Sequence, residues 1–168
     1  MSKRIEMRGS VWNQWDLHIH TPASFHWNGE KFNGDKAHDD QLIDQMIDAL
    51  NKAEPEVFAI MDYWTFDGWF KLQTRLKEPE APKLNKVVFP GIELRLVAPM
   101  EGRLNAHVIF SNKVTSQTLQ DFKSKLRVAL MDDIPLSDNA LMDLARKANA
   151  DKLRMHGFDK NEGNQSDD

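Results

Sequence analysis

Four apolar stretches between Trp15 and Phe110 each lead into an imidazole or a carboxylate, and that recurrence constrains the fold more than any other feature of the chain. As a strand from about Ser10 to Ile19, the first sends Trp15, Leu17 and Ile19 to one face. Asp16, His18 and His20 share the other face, up to the break at Thr21-Pro22. Two imidazoles one pleat apart, roughly 6.5–7 Å, can serve one metal cluster. Alone, such a pair is equally the solvated side of a half-exposed strand. The second stretch, Val57-Phe58-Ala59-Ile60-Met61, is a continuous apolar run suited to a strand covered on both faces, and it ends on Asp62. Strands at Lys86–Phe89 and Ile92–Val97 bring Glu93, and Asn105–Phe110 carries His107.

Helical spacing fills the gaps. Leu42, Ile43, Met46, Ile47, Leu50 and Ala53 define a helix from about Asp39 that Pro55 ends. Further helices are expected over Phe66–Leu76, Ser116–Met131 and Ser137–Ala150. Residues 1–9 form a basic lead-in, 10–158 the domain, and 159–168 a polar tail expected to be disordered. Strand, helix, strand, helix, strand predicts an α/β fold with mostly parallel strands. Functional groups gather at the carboxyl ends of strands in such folds, so His18, His20, Asp62, Glu93 and His107 are expected to converge. With 168 residues the chain is too short for a closed eight-unit barrel, which takes about 200–250.

The absence of cysteine removes disulfides and thiolate sites, so any metal must be held by His and carboxylates, which suits zinc, manganese or iron. A formal charge of −4 does not support gripping nucleic acid by bulk electrostatics. No apolar run reaches membrane-spanning length, and a cytoplasmic protein without a membrane partner is expected. Trp64, Phe66, Trp69 and Phe70 are read as packing residues, with the stacking floor of a substrate pocket as the alternative, and Trp12 and Trp15 as packing residues.

Asp16-Leu17-His18-Ile19-His20-Thr21 resembles the opening motif of the PHP (polymerase and histidinol phosphatase) superfamily. Ile60-Met61-Asp62-Tyr63 with Asp67-Gly68 is similar to its second motif, Pro90-Gly91-Ile92-Glu93 to its third, and Ala106-His107-Val108 to the His-bearing strand that follows. The Trp-rich opening looks most like PHP domains at the N-terminus of large bacterial ATPases. The resemblance implies a distorted (β/α)7 barrel, here partial and incomplete at its C-terminal end, with two or three divalent ions at its mouth. It implies His18, His20, Glu93 and His107 as metal ligands, and His26 as a further one or else a loop histidine beside Trp27. Asp62 is a ligand or a carboxylate that orients one; Arg95 and Arg103, near the ends of candidate strands, are phosphate clamps or parts of structural ion pairs. Asp16 is expected to orient an imidazole.

Two departures stand out. Tyr63 occupies the place of a ligand His, and phenol, with a pKa of about 10, is a poor divalent-metal ligand at neutral pH. The family's later ligands have no counterpart, since only His156 follows His107. The implied activity is hydrolysis of a phosphomonoester or a nucleic-acid phosphodiester by metal-activated water, in a larger protein with a C-terminal ATPase domain. The alternative is a degenerate module that serves as scaffold or regulator, and little or no turnover is expected of the chain alone.

Overall fold

The computed structural model describes residues 12–96, 104–128 and 134–147. Strands β1 (Trp15–Ile19), β2 (Val57–Ile60), β3 (Val87–Leu96) and β4 (Leu104–Ile109) form one curled, half-barrel sheet in that order. Helices α1 (Lys36–Lys52) and α2 (Asp67–Arg75) make the crossovers that let β1, β2 and β3 run parallel. After β4 come α3 (Ser116–Lys125), a two-stranded ribbon of β5 (Arg127–Val128) and β6 (Ile134–Pro135), and α4 (Asp138–Lys147). The lead-in, Arg103, His156, the far ends of the last two expected helices and the 159–168 tail lie outside the described residues. Among the described residues no helix is long and apolar enough to cross a membrane.

The mixed α/β class is as expected, but four local readings need correction. Pro90-Gly91 does not divide two strands; β3 runs through it as one ten-residue strand. Pro90 stands opposite Phe110, just past the end of β4, and still accepts from the Phe110 amide at 2.8 Å. Gly91 is demanded by packing, since a Cβ would lie 2.7 Å from Met61 Cε and 2.8 Å from the Ile60 carbonyl oxygen. β4 then returns antiparallel to β3, without a crossover helix. The helix from Ser116 stops at Lys125, because Leu126 adopts extended backbone and leads into β5. Trp12 and Trp15 do not pack: they are 94% and 58% exposed, so of the apolar face expected of β1 only its later part, with Ile19 against the core, is covered.

Alternation along the strands divides the sheet into two working faces. Phe58 and Ile60 of β2 and Val88 and Ile92 of β3 join Ile43, Ile47 and Leu50 of α1, Phe66, Trp69 and Leu72 near and on α2, and Leu119 of α3 in one core. Glu93 and Arg95 of β3 therefore fall on the face away from the helices. A smaller cluster, Val128, Ala140 and Leu144, ties α4 to the β5–β6 ribbon.

Polar contacts strap α1 to α2. Arg75 donates to both carboxylate oxygens of Asp44, at 2.8 Å each. Asp39, although buried, accepts from Lys71 at 2.6 Å and from the Asn33 amide at 3.1 Å. Burial pushes the Asp39 carboxyl up, but Lys71, the Asn33 amide and His38 outweigh it and hold it below the usual carboxylate value. Asp39→Ala is expected to cost about 2–3 kcal/mol, reduced from the fully buried case because the Lys71 ammonium reaches water. The sign of the pH effect follows from the lowered pKa: this stability is present above pH ~4 and is lost as pH falls through the folded-state value. Urea denaturation of both proteins between pH 3 and 7 measures it, with the difference closing toward acid.

Candidate metal centre

β1 is irregular where it matters. Its register against β2 slips between Asp16 and Ile19, a bulge that gives β1 an extra residue around Leu17-His18. The His18 amide, which loses its place in the ladder, donates instead to Asp16 Oδ1 at 3.1 Å. Asp16 thus secures backbone and does not orient an imidazole, a correction to its expected role. His18 and His20 both reach Glu93 of β3, with their ring centroids 5.0 Å apart.

Glu93 is the hub. It is 1% exposed, sits in the middle of β3, and is paired directly across the ladder with His107 of β4. His18 Nε2 donates to Glu93 Oε2 at 3.0 Å, and His107 Nε2 lies 3.6 Å from Oε1. The His18 and His107 rings meet edge to face at 4.4 Å. Ligand atoms of His18, Glu93 and His107 all lie within 4.8 Å of one another. His20 stands at the edge of this trio, its Nε2 3.9 Å from Glu93 Oε2 and its Nδ1 3.1 Å from the Ser24 hydroxyl. Burial, and then the neighbouring His18, hold His20 below the ordinary imidazole value, so it is a neutral donor at pH 7.

Burial would push the Glu93 carboxyl up, but the Tyr63 hydroxyl and His18 outweigh burial and keep it below the usual glutamate value. Asn105 Nδ2 also donates to Glu93 Oε1, at 2.6 Å. Asn105 was not singled out from sequence, although its place two residues before His107 on an alternating strand puts it on the same face. Tyr63 stacks on His20 with ring centroids 5.5 Å apart. Burial, and then Glu93, push its phenol above the ordinary value, so it stays protonated.

Asp62 is fully buried, and both its oxygens face Thr21: Oδ1 accepts from the Thr21 amide at 2.7 Å and Oδ2 from the Thr21 hydroxyl at 2.6 Å. Its side chain comes nearest the site at His20, whose Nδ1 is 3.9 Å from Oδ1. Burial raises its carboxyl to about 7 against the two Thr21 donors. His26 lies apart from the trio, its Nε2 accepting from Arg95 at 2.8 Å. The Arg95 guanidinium lies 5.0 Å from the centre of the Tyr63 ring and 5.9 Å from that of Trp64.

Two imidazoles and one ionised carboxylate are a donor set that divalent zinc, manganese or iron accepts, and the Nε2 proton that His18 shares with Glu93 is the one an ion would displace. The chain matches no protein-family model and no curated protein.

Proposed function

We propose that the chain is a metal-dependent phosphoesterase domain with a partial PHP-type barrel, and that His18, Glu93 and His107 hold its ion, with His20 beside them. The observation that carries this reading is the meeting of three ligand atoms, from three different strands, within 4.8 Å. When bound, a divalent ion supplies Lewis acidity, bringing the pKa of water toward neutrality and neutralising charge on phosphate oxygens.

The chain's own groups do the rest. Glu93, already ionised, provides the negative charge that imidazole ligands do not bring. Asn105 and Tyr63 fix the direction of that carboxylate, so its lone pairs are aimed before an ion arrives. Arg95, one pleat from Glu93 on the same face, is a permanent cation suited to a phosphate oxygen. Asp62 acts at a remove: it pins Thr21, and through it the end of β1 that carries His20. A phosphate monoester or a nucleic-acid phosphodiester both fit this chemistry, and a cytoplasmic setting beside an ATPase domain belongs to the same reading.

The test is metal binding first and turnover second. Chain stripped with chelator is titrated with Mn²⁺ or Zn²⁺, then assayed on mono- and bis(p-nitrophenyl) phosphate. A bound ion together with slow, chelator-sensitive hydrolysis supports the proposal. Folded protein that takes up no ion overturns it. Ion without hydrolysis favours the second reading, a scaffold module, which draws on Tyr63 offering Glu93 a phenol where an imidazole would offer an ion a lone pair. Asn105→Ala is expected to weaken ion affinity about 10–100-fold, the range for partners that orient a ligand, with little change in stability. Isothermal titration checks it.

A further inference from the structure

The corner of the site formed by His26, Tyr63 and Arg95 has a different chemistry from the trio. A guanidinium can only donate hydrogen bonds, so the 2.8 Å contact between Arg95 and His26 Nε2 fixes that nitrogen as the one carrying the lone pair. That is the orbital a metal ion would need. The Tyr63 hydroxyl likewise bonds to both Glu93 and Arg95, and the guanidinium lies against the Tyr63 and Trp64 rings. Two donors that could face a cation are therefore already facing one, and it is organic.

The arrangement is built in, not incidental to a loose side chain. Arg95 sits on β3 two residues from Glu93, opposite Asn105, so the sheet itself sets its distance from the trio. The segment presenting Tyr63 is clamped to the same strand, with Glu93 N donating to Asp62 O at 3.0 Å and Trp64 N to Glu93 O at 3.2 Å. Trp64 takes a left-handed φ of 57°, unusual for a bulky residue, in this clamped stretch. A second divalent ion placed between His26, Tyr63 and Glu93 would meet a fixed positive charge with its ligands taken.

We propose that the Arg95 guanidinium is the second positive charge of this site, so that the chain binds a single divalent ion at His18, Glu93 and His107. The inference rests on reading that trio as a metal site, and its failure is separable from the failure of that reading. Metal-free chain is equilibrated with excess Mn²⁺ or Zn²⁺ and the bound ion counted by elemental analysis, with Mn²⁺ EPR to detect spin-coupled pairs. One ion per chain and no coupled signal is expected. Two or more ions in the wild type overturns the Arg95 proposal alone, whereas none overturns the metal site and the proposal with it.

Variants test the roles separately. His26→Ala is expected to change ion affinity by less than about threefold and to leave the count at one, while His107→Ala loses more than about 100-fold, above the range for groups that merely orient a ligand. Equal losses in the two overturn the proposal. Arg95→Met, which frees His26 Nε2 and removes the charge, is expected to admit a second, weaker ion and a coupled EPR signal. Arg95→Lys keeps the charge and is expected to keep the count at one. A count of one in Arg95→Met overturns the claim that Arg95 excludes the second ion.

Discussion

His18→Ala and His107→Ala, each alone, are expected to lower divalent-ion affinity by more than about 100-fold; His107→Ala moves stability by less than about 0.5 kcal/mol, and His18→Ala costs about 1 kcal/mol through the hydrogen bond that buried Glu93 loses. The asymmetry follows from exposure. The His18 and His107 side chains are 47% and 37% exposed, so their removal opens no cavity in the core. Their ligand atoms, however, supply two of the three donors that meet at Glu93. Glu93→Gln is the more severe test. The substituted amide fits the same space but brings no charge, and its NH2 would oppose a donor from His18 or Asn105. Binding is expected to fall as far as in the histidine variants, with stability lost as well, because Glu93 is buried. Affinity in the wild type should also drop as pH falls, since the ligands must shed their protons to take an ion. Equilibrium dialysis against Mn²⁺ or Zn²⁺, paired with urea denaturation, measures both quantities. A His107→Ala protein that binds within about threefold of wild type would remove β4 from the site.

The residues of this centre were legible in sequence for a reason that turned out to be partly mistaken. The sequence pattern puts His18, Glu93 and His107 at the carboxyl ends of parallel strands. Glu93 is instead in the middle of β3, and His107 in the middle of an antiparallel neighbour. They meet because β3 outruns β2 and turns back, so cross-strand pairing does what a shared strand end was expected to do. Nothing in the apolar runs of β3 and β4 distinguishes that hairpin from two parallel strands, since each buries residues on one face in either case. The β1 bulge was also invisible. A period of two runs straight through Trp15 to His20 in the sequence, and a one-residue slip is a property of the pair, not of either strand. α1 and β2 were read nearly as they stand, because a long 3.6-residue period and an uninterrupted apolar run are local signals. The link between His26 and Arg95 depends on the path of the loop after Thr21. No spacing rule reaches across 69 residues to predict it.

Gly68→Ala is expected to destabilise the chain by about 3–5 kcal/mol, the largest stability effect of any single methyl here. A Cβ at position 68 would lie 2.0 Å from Thr21 Oγ1 and 2.5 Å from Asp62 Oδ2, both buried and hydrogen-bonded to each other. Neither atom is the end of a flexible chain, so the N-terminus of α2 must lift off or the Thr21–Asp62 pair must part. Parting leaves the Thr21 amide, which donates to Asp62 Oδ1, without its partner. The same pair should write itself into the pH dependence of the wild type. Burial raises Asp62 from 3.8 to about 7, so between those values the folded chain retains a proton that the unfolded chain has released. Asp62 therefore makes stability fall as pH rises from about 4 to about 7, by no more than about 1.4 kcal/mol per pH unit, with no further loss above. Asp62→Asn, which can accept from the Thr21 amide and donate to its hydroxyl, should flatten that slope without the loss seen in Gly68→Ala. Urea denaturation of the three metal-free proteins across pH 4–8 separates these effects. If Gly68→Ala costs less than about 1 kcal/mol, the helix yields to the methyl, and the end of β1 that carries His20 is held by something other than this clasp.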